Sequence, residues 1–256
     1  MISIDLSHQT AVVTGGKSGI GKGIVELFIQ SGAKVISADI SYEEPYRVIN
    51  SQLVETQLDI SKPDDIERWC DLLISKSGVP DILVNCAGTS TMDYVIDSEL
   101  ADWEKVFSIN STGLYVASKR FAKEMVDARK PGRIIQIASQ AGKNGYRAMG
   151  GYCASKHAVL GLTKVMAIEL APHQILVNAV CPGIVETPMK HRERIEGGVI
   201  RGMTAQEIYE EDCSQVPLGR TAEVEDVANV VLFLASPLSA YMTGQAINVT
   251  GGMTMH

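Results

Sequence analysis

Tyr152 and Lys156 belong to the stretch YCASK, and their i, i+4 spacing places both side chains on one face of a helix. A phenol has a pKa of about 10 and is a poor base at neutral pH, but an ammonium group held close lowers that value toward the working range. Upstream, the apolar run RIIQIAS ends at Ser139, whose hydroxyl can hydrogen-bond a carbonyl or alcohol oxygen. The three side chains indicate acid–base chemistry on such an oxygen.

A glycine-rich stretch, TGGKSGIG (14–21), lies between an apolar run and a helical pattern. Glycine lets a backbone approach a pyrophosphate closely, and a helix N-terminus offers free N–H groups and a partial positive charge. The spacing of Gly15, Gly19 and Gly21 differs from the usual G-x-G-x-x-G, so the turn alone indicates little. Asp39 ends the next apolar run, where an acid can accept hydrogen bonds from an adenosine ribose. Together the turn and the acid predict a dinucleotide site.

These residues lie at the ends of short apolar runs that alternate with longer helical patterns. Several runs are apolar almost throughout, which is typical of strands covered on both faces. The alternation predicts a single-domain α/β fold over 1–256, a Rossmann-type doubly wound parallel sheet of about seven strands with helices on both faces. The predicted strands are 10–14, 34–39, 53–60, 81–88, 132–139, 175–183 and 245–252.

The segment 188–218 is the one irregular region of the pattern, and it is rich in charged residues. It separates a predicted strand from the last predicted helix. Because α/β sheets bind ligands at the carboxyl ends of their strands, we expect this insertion to be a lid over a substrate site rather than a linker.

Taken in order, the motifs resemble those of the short-chain dehydrogenase/reductase family over essentially the whole chain. TGGKSGIG resembles the family turn T-G-x-x-x-G-x-G, and NCAG (85–88) resembles its N-N-A-G strand end, with Cys86 replacing the second Asn. SINSTG places Asn110 at the family's catalytic asparagine, and CPGIVETPM (181–189) resembles its P-G motif. The resemblance implies an oxidoreductase that transfers hydride to or from a nicotinamide coenzyme.

The resemblance also implies roles for single residues. Tyr152 would be the general acid/base and Ser139 would orient the substrate oxygen. Lys156 would lower the pKa of Tyr152 and hold the nicotinamide ribose, and Asn110 would help to hold a water in a proton relay. The implied coenzyme contacts, besides Tyr152 and Lys156, are Gly15, Lys17, Ser18, Gly19, Ile20, Gly21, Asp39, Ile40, Asp59, Ile60, Asn85, Ala87, Gly88, Pro182, Gly183, Val185 and Thr187.

Asp39 predicts a preference for NAD, because its carboxylate would repel the 2′-phosphate of NADP. No Arg or Lys follows it directly, and Glu43 and Glu44 add negative charge nearby. Lys17 lies in the glycine turn and could reach toward a phosphate. In NADP-using relatives, however, the basic residue commonly takes the next position, where this chain has Ser18.

The substrate class stays open at this level. ASQAG and CPGIVETPM are similar to the corresponding stretches in dehydrogenases of acetoin, butanediol and sugar alcohols. This similarity favours a polyol, sugar alcohol, small diol or hydroxyketone as the substrate. We expect the substrate to contact Ser139, Gln140, Tyr146 and Tyr152. Gln140 can serve a second hydroxyl as donor and acceptor, or it can be a turn amide.

Three alternatives remain. The first is a 3-oxoacyl-(acyl carrier protein) reductase. The second is a dehydrogenase of a phosphorylated or sulfonated hydroxy compound, whose anionic group would meet the lid cations. The third, a nucleotide-sensing regulator on the same fold, is disfavoured by the intact Ser, Tyr and Lys set. The lid cations are Lys190, His191, Arg192, Arg194 and Arg201.

Composition excludes other classes of protein. A net charge of -7 argues against a nucleic-acid binder. No apolar run is long enough for a membrane span, and the first ten residues do not resemble a secretory signal. The five cysteines are widely spaced, so we expect no metal site and a reducing, cytoplasmic location. Family resemblance implies a homotetramer that pairs the long helices predicted at 99–126 and 152–171.

Overall fold

The computed structural model describes residues 4–256, in which eight strands form one sheet. The sheet order is β3-β4-β2-β1-β5-β6-β7-β8. The strands are β1 (Thr10–Thr14), β2 (Lys34–Asp39), β3 (Arg47–Val48), β4 (Leu53–Gln57), β5 (Ile82–Asn85), β6 (Gly132–Ile137), β7 (Ile175–Pro182) and β8 (Ala246–Val249).

The parallel, doubly wound sheet predicted from the sequence is confirmed. All seven strands of the pattern are present and pair in parallel. The eighth strand, β3, is a two-residue antiparallel addition to β4, in which Arg47 lies opposite Glu55. A strand so short and so exposed leaves no alternation in the sequence from which to predict it.

Eight α-helices accompany the sheet. They are α1 (Gly19–Gln30), α2 (Pro63–Ser77), α3 (Leu100–Phe107), α4 (Leu114–Asp127), α5 (Gly150–Leu170), α6 (Pro188–Arg201), α7 (Ala205–Gln215) and α8 (Val224–Ala235). All but α6 and α7, which form the 188–218 insertion, lie along the two faces of the sheet.

Apolar residues fill the space between the sheet and the helices on both faces. On one face Phe28 of α1 and Val231 of α8 belong to the same core cluster as Ile135 of β6. On the other face Phe121 of α4 packs in a second cluster with Ile134. Consecutive residues of β6 therefore point into opposite cores, which is why the central strands are apolar at nearly every position.

The helix predicted at 99–126 is interrupted. A π-helical turn, Ser108–Gly113, separates α3 from α4. Gly113 is required there, because a Cβ at this position would lie 2.1 Å from the Ile60 carbonyl oxygen. Asn110 lies within the π turn, an element that occurs frequently at functional sites.

The insertion at 188–218 folds into α6 and α7. Thr187 accepts a hydrogen bond from the Lys190 N–H at the start of α6, and Gly202 ends this helix in a left-handed conformation. Thr204 and Glu207 form a capping box at the start of α7. No helix among the described residues is long and apolar enough to cross a membrane.

Candidate active site

A cavity of about 760 Å³ opens at the carboxyl ends of the parallel strands. It lies where β1 neighbours β5, the point at which the strand order reverses and α/β sheets bind their ligands. Its walls include residues at or directly after the ends of six parallel strands, the first turn of α1, and both helices of the 188–218 insertion, α6 and α7, which are called the lid helices below. The cavity thus opens at the edge of the sheet where the sequence predicts a ligand site.

The glycine turn packs against the end of β5 without room for side chains. Gly15 has a φ of +69°, and a Cβ there would lie 2.8 Å from the Ala87 Cα. A Cβ on Gly21 would lie 2.0 Å from the Gly15 carbonyl oxygen. The first turn of α1 lines the cavity, and the Ser18 side chain does not cap it. The free N–H groups of this turn are therefore available to an anionic group. The turn fits a pyrophosphate.

Asp39 lies at the cavity edge, held by the loop that follows it. Its Oδ1 accepts hydrogen bonds from the Ser41 N–H and hydroxyl at 3.0 and 2.6 Å, and its Oδ2 accepts from the Lys17 N–H at 3.3 Å. The Lys17 side chain turns away from the cavity. Its Nζ donates to the Ser41 carbonyl and lies 5.0 Å from the centre of the Tyr42 ring.

Most of the coenzyme contacts implied by the resemblance line this cavity, and two do not. Lys17 is one exception. Asn85 is the other, because it lies behind the wall and donates to Ser118 and Gln136 at 2.9 Å each. The residues that do line the cavity are Gly15, Ser18, Gly19, Ile20, Gly21, Asp39, Ile40, Asp59, Ile60, Ala87, Gly88, Tyr152, Lys156, Pro182, Gly183, Val185 and Thr187.

Ser139, Tyr152 and Lys156 meet in the middle of the cavity wall. Ser139 follows β6, and its Oγ accepts a hydrogen bond from the Ala141 N–H at 3.1 Å. The Lys156 side chain is only 4% exposed, and its Nζ donates to the Ile137 carbonyl at 2.8 Å. The same Nζ lies 5.7 Å from the centre of the Tyr152 ring. Burial lowers the pKa of Lys156 to about 8.

The pKa of Tyr152 is raised, not lowered as we expected. Burial is the largest cause and the Glu193 carboxylate adds to it, while a hydrogen bond with Ser139 acts in the opposite direction. Lys156 does not offset these effects, since its ammonium group donates to the Ile137 carbonyl and burial favours its own neutral form.

Asn110 lies just behind the cavity wall, and its amide is fully engaged. Its Oδ1 accepts from the Thr89 N–H at 2.8 Å, and its Nδ2 donates to the Thr89 carbonyl and the Ser155 hydroxyl at 2.9 and 3.0 Å. The side chain thus ties the π turn to the loop after β5 and to α5. Ile109, its neighbour, lines the cavity instead.

Gln140 and Tyr146 both line the cavity, and Gln140 also contacts the end of the chain. Its Nε2 lies 3.5 Å from the Met253 sulfur, and its Oε1 accepts from the Thr254 hydroxyl at 3.2 Å. Met253 reaches the cavity as well. This contact was not predicted, because no local pattern shows that residues 250–256 return to the end of β6.

Ion pairs join the two lid helices to each other and to Glu186, in the segment between β7 and α6. The buried Arg194 donates two hydrogen bonds to Glu186, at 2.6 and 2.8 Å, and one to Asp212 at 3.0 Å. Lys190 lies 3.2 Å from the same Asp212 carboxylate. Hydrogen bonds from Arg194 lower the pKa of Glu186 to about 2 in spite of its partial burial.

The other lid cations are also paired. His191 lies 3.1 Å from Glu186, and Arg192 lies 3.4 Å from Glu196. Arg201 contacts Glu211 at 2.5 Å. Each of the five cations considered for an anionic substrate therefore has a carboxylate partner, four of them within 188–218 and His191 at Glu186, just before this segment.

Comparisons with known proteins agree with this geometry. A family model described as enoyl-(acyl carrier protein) reductase matches residues 15–254. A 3-oxoacyl-[acyl-carrier-protein] reductase from Thermotoga maritima is 35% identical over 98% of this chain and 99% of its own.

Two solved structures share the fold. Sorbitol-6-phosphate 2-dehydrogenase from Erwinia amylovora is 32% identical, with a TM-score of 0.90 over 96% of this chain and 100% of its own. A variant of the actinorhodin polyketide ketoreductase with NADPH is also 32% identical, with a TM-score of 0.89 over 97% and 98% of the two chains. With the Tyr152, Lys156 and Ser139 arrangement and the glycine turn, these matches identify the chain as a member of the short-chain dehydrogenase/reductase family of oxidoreductases.

Proposed function

We propose that the protein is an NAD-dependent dehydrogenase that interconverts a secondary alcohol and its ketone. The favoured substrates are polyols, sugar alcohols and small diols or hydroxyketones. The observation that carries the proposal is that Ser139, Tyr152 and Lys156 share one cavity with the glycine turn and Asp39.

When bound, NAD would supply the acceptor for the hydride of the alcohol. Tyr152 accepts the hydroxyl proton as the carbonyl forms, and returns it when the reaction runs toward the alcohol. Ser139 hydrogen-bonds the same oxygen and orients it. Lys156 would bind the nicotinamide ribose, while Asn110 holds the π turn and the loop after β5 in register behind the site. The other coenzyme contacts are the cavity-lining residues given above.

Preference for NAD rests on Asp39. Its carboxylate lies at the cavity edge with one oxygen accepting only a long hydrogen bond from the Lys17 N–H, 3.3 Å. A ribose hydroxyl can donate to that oxygen, whereas a 2′-phosphate would meet a like charge. Lys17 supports the preference, because its ammonium is engaged by Ser41 and the Tyr42 ring. The ketoreductase relative binds NADPH, so comparing kcat/KM with NAD and with NADP tests the preference in this protein.

Two alternatives have support among the relatives. The Thermotoga maritima protein is named for 3-oxoacyl-[acyl-carrier-protein] reduction, and the Erwinia amylovora protein for a sugar-alcohol phosphate. The paired lid cations disfavour a phosphorylated substrate, because each would have to leave a carboxylate partner. A nucleotide-sensing role without catalysis does not require the Ser139, Tyr152 and Lys156 arrangement.

A panel of secondary alcohols and ketones, assayed by NADH absorbance, tests the proposal. It contains neutral polyols and diols, sugar-alcohol phosphates and a 3-oxoacyl thioester, each with NAD(H) and NADP(H). We expect the highest kcat/KM for a neutral polyol or diol with NAD. Highest activity with the 3-oxoacyl thioester and NADPH would replace this proposal with the reductase, and coenzyme binding without turnover of any compound would favour the sensor.

We also infer a homotetramer that pairs the long helices. Large apolar side chains are exposed on α3, α4 and α5, and a second copy of the chain would cover them. Light scattering at micromolar concentration should give about four times the chain mass of 27.6 kDa, and the mass of a single chain would contradict the inference. The exposed residues are Leu100, Trp103, Tyr115, Val165 and Ile168.

We further infer a cytoplasmic location. All five cysteines are free thiols, as is usual in reducing compartments. Cell fractionation against cytoplasmic and membrane marker enzymes tests it, and recovery with the membranes would contradict it.

A further inference from the structure

We propose that Glu193 selects substrates by charge: its carboxylate accepts a hydrogen bond from a hydroxyl or ammonium group of the substrate and disfavours alcohols with an anionic group beside the reacting carbon. Glu193 lies on α6 and lines the same cavity as Tyr152 and Ser139. The inference rests on the proposed dehydrogenase function and assigns its substrates a charge class.

Neighbouring side chains hold Glu193 in the cavity wall. The Ser90 hydroxyl donates to its Oε1 at 2.6 Å, and Arg192 donates to both the carbonyl and the hydroxyl oxygen of Ser90 at 3.0 Å. The next residue along α6, Arg194, is buried and fixed by ion pairs. Within residues 4–256 the second carboxylate oxygen, Oε2, has no hydrogen-bond partner, so it can accept from a molecule in the cavity.

The other lid charges at the cavity largely cancel. Lys190 is paired with Asp212, and Arg201 is paired with Glu211. Arg147 lines the cavity from the segment before α5, but its side chain is exposed and its field is screened by solvent and salt. These cations would compensate an anionic substrate only weakly.

The charge of Glu193 reaches the reacting group. It raises the pKa of Tyr152, second only to burial among the causes. The Nζ of Lys156 lies 5.7 Å from the centre of the Tyr152 ring and donates to the Ile137 carbonyl. An anionic group next to the substrate hydroxyl would therefore meet a carboxylate, whereas a second hydroxyl or an ammonium group would find an acceptor.

Three matched alcohols test the proposal: lactate, propane-1,2-diol and 1-aminopropan-2-ol. Each is a methyl carbinol, and they differ only in an adjacent group that is anionic, neutral or cationic. We compare kcat/KM with NAD for the unmutated protein and Glu193→Gln. We expect the substitution to raise the lactate-to-diol ratio by about tenfold or more and to lower the amino-alcohol-to-diol ratio, because it removes one charge with little change in shape.

A pH profile of diol oxidation gives a second readout that a purely structural role would not move. Since the Glu193 charge raises the pKa of Tyr152, Glu193→Gln should shift the half-maximal pH downward. Ser90→Ala, which removes the hydroxyl that holds Glu193, should change the substrate ratios in the same direction by less. Glu210→Gln is the control, because this α7 carboxylate is exposed and outside the cavity.

The outcomes separate the two proposals. Turnover of the alcohols with ratios that Glu193→Gln leaves within about twofold overturns the role of Glu193 and leaves the dehydrogenase function intact. Failure of the unmutated protein to oxidise any secondary alcohol overturns the dehydrogenase function and this inference with it. Equal shifts in Glu210→Gln would assign the effect to the overall charge of the lid, against the proposal.

Discussion

The two halves of the cavity are built in different ways. In the coenzyme half, formed by the ends of β1, β2 and β5 and the first turn of α1, backbone packs on backbone. A Cβ on Gly15 or Gly21 would lie within 2.8 Å of another backbone atom. In the substrate half, formed by α6, α7, residues 143–149 and residues 250–256, side chains from distant segments pair, as Ser90 does with Glu193.

This difference explains why only the coenzyme half can be recognised from the amino-acid sequence. Backbone packing restricts the residue type at each position, so the coenzyme half leaves a motif in the sequence. Side-chain pairs across the fold permit many combinations, so the substrate half leaves none. Tyr152 lies where the halves meet.

The largest effect is expected at the junction. Tyr152→Phe keeps the ring and its packing but removes the group that exchanges the proton. We expect activity to fall by about 10²–10⁴-fold, with folding and NAD affinity retained. Steady-state rates, thermal unfolding and NAD binding measured on the same preparation test this, and near-normal turnover would remove Tyr152 from the role.

The next effect is expected in the coenzyme half. In the unmutated protein, kcat/KM on one substrate should favour NAD over NADP by about a thousandfold. The 2′-phosphate of NADP would be repelled by the Asp39 carboxylate, and the hydrogen bond that the ribose 2′-hydroxyl of NAD donates to Asp39 would be lost. Asp39→Ala should lower this ratio and weaken the binding of NAD. The substrate KM at saturating NAD serves as the control and should change little, since Asp39 lies in the other half. Equal use of both coenzymes by the unmutated protein would contradict the assignment.

The smallest effect is expected in the substrate half. Glu186→Gln weakens the ion pairs that join α6 to the segment after β7, so the substrate KM should rise by about three- to tenfold. The KM for NAD should change less. Glu210→Gln, on the exposed face of α7, is the matched control. If both variants leave the substrate KM unchanged, the ion cluster does not position the lid.

Glu186→Gln should also change how the stability of the fold depends on pH. Hydrogen bonds from Arg194 lower the pKa of Glu186 from its ordinary 4.5 to about 2. A depressed pKa stabilises the fold above about pH 4.5, and that stability is lost as the pH falls toward 2. The melting temperature of the unmutated protein should therefore fall more steeply between pH 5 and about pH 3 than that of Glu186→Gln, and parallel curves would contradict this.

The sequence alone determined the sheet, its parallel strands and the coenzyme half. Continuous apolar runs indicate strands that are buried on both faces, and the glycine turn indicates close backbone packing. Both features can be recognised in the sequence itself. The YCASK spacing placed Tyr152 and Lys156 on one helix face, and Ser139 followed from the end of its strand.

Only the tertiary structure decided which side chains face the cavity and what charge they present there. Lys17 and Asn85 were expected in the coenzyme site, yet one turns toward Ser41 and the other packs against Ser118 and Gln136. Glu193 was one acid among many in the lid, and only the helix packing places it in the wall beside Tyr152. A pKa depends on burial and charge in three dimensions, so spacing along the chain could not predict that the pKa of Tyr152 is raised.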